Sequence, residues 1–137
     1  MARILALDYG KKRIGIAVTD PLRIIATGLV TINSHELIPF LKNYFIAESV
    51  ELIIIGMPLN LDETETHGTA PAKNAIERLQ KAFPNIPVET VDERFTSKMA
   101  VNAMLDMGMK KKQRQVKANV DIIAATIMLQ TYMEHNQ

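Results

Sequence analysis

The sequence predicts an α/β fold: a mixed five-stranded sheet, its first three strands antiparallel, flanked by helices. Two short alternating runs, ILALDY and RIGIAVT, are joined by a short loop that favours an antiparallel hairpin. A continuous apolar run, ELIIIG at Glu51 to Gly56, has the pattern of a central parallel strand. Segments of helical period then alternate with strands, which sets helices on both faces of the sheet.

In the first strand Ile4, Ala6 and Asp8 share one face, with Leu5 and Leu7 on the other. After the loop of Gly10, Lys11 and Lys12, the second strand runs from Arg13 to Thr19. Ile14, Ile16 and Val18 take one face, while Gly15 and Ala17 leave the other open to close approach by another element. A third strand covers Ile25 to Ile32. Asn33 or Ser34 can then cap a helix that buries Leu37, Phe40, Leu41, Tyr44 and Phe45. The apolar strand Glu51 to Gly56 is followed by a polar loop from Pro58 to Pro71, carrying Asp62, Glu63, Glu65, His67 and Gly68. A helix from Ala72 buries Ala75, Ile76, Leu79 and Phe83 and stops at Pro84 and Pro87. PVETVD, Pro87 to Asp92, is the fifth strand. Thr96 can cap a helix burying Met99, Ala103, Met104 and Met107, and the last helix runs from about Lys117 to Glu134. With no repeat and no linker, residues 1–137 are expected to form one domain.

Composition removes several function classes. The absence of cysteine excludes a disulfide framework, a thiolate nucleophile and a Cys-based zinc site, and fits a cytoplasmic protein. No apolar run is long enough to span a membrane, and no secretory signal is read at the start. Net charge is only +1, so any polyanion site must come from local clustering. Lys110, Lys111, Lys112, Arg114 and Lys117 provide that cluster, with no acid among them; without them eleven basic residues face fifteen acids. Such side chains contact phosphates without reading sequence. The bland alternative is a solvated loop between helices. With 5% aromatic residues, base stacking is not advertised.

Three acids stand out because of where they sit. Asp8 sits near the end of a buried strand, Glu93 just past the fifth strand, and Asp121 near the start of the last helix. Ala124, Ala125, Met128 and Leu129 follow Asp121 at helical spacing, so this acid lies on the apolar stripe. A buried carboxylate needs a partner, and clustered carboxylates are natural ligands for Mg²⁺. Acids from distant segments suit two-metal phosphodiester hydrolysis, because they can surround the ions. Each acid also has a structural alternative. Asp8 can accept backbone N–H bonds in the turn, Glu93 can pair with Arg94 or Lys98, and Asp121 can favour the helix dipole. His35, His67 and His135 have no metal-ligand spacing, and no Walker or dinucleotide loop is present.

LDYGKKRIGIAVTD, GMPLNLD, VDERFTS and DIIAATIMLQ, in this order over nearly the whole chain, resemble the YqgF family, also called RuvX. The resemblance implies an RNase H-like fold similar to the RuvC Holliday junction resolvases. It implies catalytic and metal-binding roles for Asp8, Glu93 and Asp121, with Mg²⁺ or Mn²⁺ as cofactor. It further implies nuclease action on nucleic acid: pre-16S rRNA at its 5′ end, or four-way DNA junctions. Arg94 and the basic residues Lys110, Lys111, Lys112, Arg114 and Lys117 would hold phosphates. Ribosomal particles are possible partners, a membrane is not, and either a monomer or a homodimer is compatible. After GMPLNLD the chain departs from the family pattern with a longer, more acidic ETETHGTAP. Rival readings are a resolvase with the same chemistry, a non-catalytic RNA-binding assembly factor, and a sugar-kinase-like ATPase. The last needs a second lobe for which 137 residues leave no room.

Overall fold

The fold comes from a computed structural model that describes residues 2–9, 12–57, 69–92 and 117–135. The described strands are β1 (Arg3–Tyr9), β2 (Arg13–Thr19), β3 (Ala26–Asn33), β4 (Val50–Met57) and β5 (Val88–Asp92). They form one sheet in the order β3-β2-β1-β4-β5. β1, β2 and β3 are antiparallel neighbours, and β1, β4 and β5 are parallel ones. The mixed sheet is therefore the one the alternating and continuous runs predict.

Strand alternation sorts the core into two layers. Leu5, Leu7, Ile14, Ile16, Ile53 and Ile55 face helices α1 (Leu37–Ala47) and α2 (Thr69–Ala82), meeting Leu37, Leu41, Ala75 and Leu79. Phe40, Tyr44, Phe45, Ile76 and Phe83 pack at its margin, as their helical spacing requires. Ile4, Ala6, Ala17 and Ile54 face the third described helix, α3 (Lys117–His135), through Ala125, Met128 and Leu129. α3 lies very close to the sheet because small residues meet there. Cβ atoms placed on Gly15 and Gly28 would collide with Asp121 and Ile122 respectively. No described helix is long and apolar enough to cross a membrane.

Two local details differ from the sequence expectation. Asn33 does not cap a helix with its side chain: a 3-10 turn, Ser34–Glu36, comes first, and Asn33 Nδ2 donates to Glu36 Oε1 at 3.1 Å. An amide and a carboxylate three residues apart satisfy each other and leave the backbone alone. The edge strand β3 carries one extra residue. Ile16 pairs with Val30 and Ala17 with Gly28, so Leu29 is a bulge that interrupts an otherwise open edge.

The opposite end of the sheet is tied by side chains. Thr19 is fully buried and its Oγ1 accepts the Ile4 N–H at 2.9 Å. Asp20 Oδ1 accepts the N–H groups of Ile24 and Ile25 at 2.7 and 2.8 Å, closing the turn in which Arg23 takes φ 58°. Those bonds, that from Ile25 foremost, hold the Asp20 carboxyl below its ordinary pKa of 3.8.

Candidate catalytic site

Asp8 stands near the carboxyl end of β1, the edge of an open α/β sheet where ligands bind. It pairs directly with Gly15 of β2 and so shares the face of Ile4, Ala6 and Ala17, the face that α3 covers. Asp121 reaches the same spot from the other end of the chain. It lies in the first turns of α3 and is 8% exposed. Its backbone carbonyl rests where a Cβ on Gly15 would be. One glycine thus has an acid beside it in the sheet and another acid's backbone above it. The absent side chain is what allows this, because any Cβ there would push α3 outward.

Arg13 completes the described site. Two residues before Gly15, it points to the same side of β2. Its Nε lies 3.5 Å from Asp121 Oδ2. That Nε is buried and has no hydrogen-bond partner among the described residues, while the side chain as a whole is 42% exposed. In the sequence Arg13 reads only as the first residue of a strand. Period-two alternation from Gly15 and Ala17 puts it on their face, but nothing in the sequence brings residue 121 next to residue 13.

The three acids singled out in the sequence fare differently. Asp8 and Asp121 converge on Gly15. Glu93 lies outside the described residues, as do Arg94, Lys110, Lys111, Lys112 and Arg114. Lys117 opens α3, though its side chain is not described. The acidic loop with His67 is also outside, and His35 is an exposed neighbour of Glu36, as expected of a surface histidine. Among the described residues no group of three or more His, Cys, Asp or Glu is gathered. The two described acids offer oxygen donors only, from separate elements on one face. That donor chemistry fits Mg²⁺ or Mn²⁺ and not a nitrogen- or sulfur-seeking metal.

Comparison with known proteins bears on the family and the fold. The profile described as "RuvX: Holliday junction resolvase" matches residues 2–135. A protein of Christiangramia forsetii named "Putative pre-16S rRNA nuclease" is 53% identical over 133 residues, 97% of this chain and 98% of that protein. A Phocaeicola vulgatus protein of the same name is 54% identical, over 98% of this chain and 96% of its own. Among solved structures, the Fowlpox virus resolvase in complex with Holliday junction DNA superposes with a TM-score of 0.60 at 14% identity, covering 98% of both chains. Thermus thermophilus RuvC with a Holliday junction substrate gives 0.57 at 14% identity, over 100% of this chain and 98% of that one. The fold is RNase H-like, of the RuvC kind, and the chain belongs to the RuvX family of nucleases.

Proposed function

We propose that the protein is a metal-dependent nuclease that hydrolyses phosphodiester bonds in structured RNA and trims the 5′ end of pre-16S rRNA. The observation that carries this reading is the meeting of Asp8 and Asp121 over Gly15. The relatives' shared name supports the substrate.

In this reading Asp8 and Asp121 hold the divalent ion, with Glu93 as a third ligand supplied by the segment that follows β5. The ion, when bound, supplies Lewis acidity at the scissile phosphate. The carboxylates fix its position, because one is set in a sheet and the other in a helix packed on that sheet. A water oxygen bonds to phosphorus, the P–O bond to the leaving sugar oxygen breaks, and the water's proton ends on that oxygen. Arg94 and the basic residues at 110–117 hold flanking phosphates.

The test compares purified protein with Asp8→Asn on a labelled pre-16S 5′ leader RNA and on a four-way DNA junction, with Mg²⁺ or Mn²⁺. RNA cleavage by the unaltered protein alone, with the variant equally folded by circular dichroism, supports the proposal. Metal-dependent cleavage retained by Asp8→Asn would sink the site assignment. The family's description favours a second reading, junction resolution, whose signature is paired symmetric nicks in the DNA.

A further inference from the structure

We infer that Arg13 is the resident counter-ion of Asp121, occupying the acid's charge in the metal-free protein and giving way when a divalent cation binds. The inference rests on the metal-dependent reading above and concerns how that same site is filled.

Two features of the pair point this way. An arginine locked onto a carboxylate makes charge-assisted hydrogen bonds of about 2.7–2.9 Å, commonly two in parallel. Here Nε stands 3.5 Å from Oδ2, and it is buried with no hydrogen-bond partner among the described residues. Charge holds this contact, at a separation too long for the hydrogen bond that would fasten it.

The partners are also unequal in freedom. Asp121 belongs to a helix whose backbone is wedged against Gly15 and whose following residues Ala124 and Ala125 are fully buried. Its side chain is 11% exposed, against 42% for Arg13. The acid is held by its helix, and the arginine side chain is the more exposed and freer of the two. A cation arriving between Asp8 and Asp121 therefore displaces Arg13 and leaves the acids in place. A nearby fixed positive charge also repels that cation, so Arg13 sets a ceiling on metal affinity.

The experiment measures Mn²⁺ binding by titration calorimetry, without substrate, on the unaltered protein, Arg13→Gln and Arg13→Lys. Thermal melting is recorded in parallel, in EDTA and in saturating Mn²⁺. Removing one positive charge a few ångströms from the ion is expected to tighten binding about tenfold. Arg13→Gln should also melt lower than the unaltered protein in EDTA and gain more from Mn²⁺. Arg13→Lys, which keeps the charge, should bind within about twofold of the unaltered protein. Equal or weaker Mn²⁺ binding by Arg13→Gln, with normal binding by the unaltered protein, overturns this inference and leaves the metal reading intact. Absence of Mn²⁺ binding in both overturns the two together. If Arg13→Gln does not fold in either condition, Arg13→Met, which also removes the charge but keeps the apolar stem, decides: binding several-fold tighter than the unaltered protein supports the inference, and equal or weaker binding overturns it.

Discussion

Gly15 and Asp121 meet backbone to backbone: the Asp121 carbonyl sits in the space that any side chain at position 15 would need. The contact sets the height of α3 above the sheet, and with it the separation of the two acids.

Gly15→Ala should therefore cost about 1–3 kcal/mol of stability, the usual range for overpacking, and lower nuclease activity as well. Gly28→Ala provides the control. There the nearest atom is Cγ2 of Ile122, which moves only with the stiff χ1 of a β-branched helical residue, so stability should fall by a similar amount, about 1–3 kcal/mol, but no acid's backbone is displaced and activity should be kept. Urea unfolding should show both losses, and a cleavage assay should separate the two variants.

Asp121→Asn should abolish cleavage with little change in unfolding midpoint. Its ion pair with Arg13 is partly exposed, and such pairs contribute about 0–1 kcal/mol. Activity and stability should thus separate in this variant. A large fall in both would mean that the acid is there for the fold.

Thr19→Val should be destabilising despite its matched shape. The Ile4 N–H loses the acceptor it has at 2.9 Å in a buried position, a loss of about 1–3 kcal/mol. Thr19→Ser keeps the hydroxyl and should recover most of it. The midpoint in urea should shift with an unchanged slope.

Asp20 makes one part of the stability acid-sensitive. Its folded carboxyl titrates below the ordinary 3.8 because the Ile25 and Ile24 N–H groups favour the ionised form. The contribution is complete above the unfolded value and drains away as pH falls through the folded one. Asp20→Asn keeps a side-chain oxygen but cannot ionise. Its deficit in melting temperature should be visible at neutral pH and shrink as pH drops below about 4.

Much of this was legible in the sequence because it is periodic. Alternation in β1 and β2 set the faces, the apolar run within Glu51 to Gly56 marked an interior parallel strand (β4, between β1 and β5, with β1 itself in the middle), and Gly15 and Ala17 marked the side of close approach. Asp121 on an apolar stripe announced a buried acid, and it is one. Pairings between distant segments were not legible. Arg13 reads as any strand-opening residue until α3 is laid over β2, and the Asn33–Glu36 bond depends on a choice between two equally available partners. The extra residue in β3 was hidden for the same reason, since a bulge is defined by what lies across from it.

The arrangement of β1 and α3 also bears on when the protein becomes competent. The hairpin of β1 and β2 can form from neighbouring residues early in folding, whereas α3 closes over it from far along the chain and the long loop entropy must be met first. On that order of events Asp8 is in place before Asp121 arrives. If the two acids act as proposed, a chain whose α3 has not docked carries half of the pair and is expected not to cleave. In a cell full of RNA, docking of the last helix would then be the step that switches such a protein on.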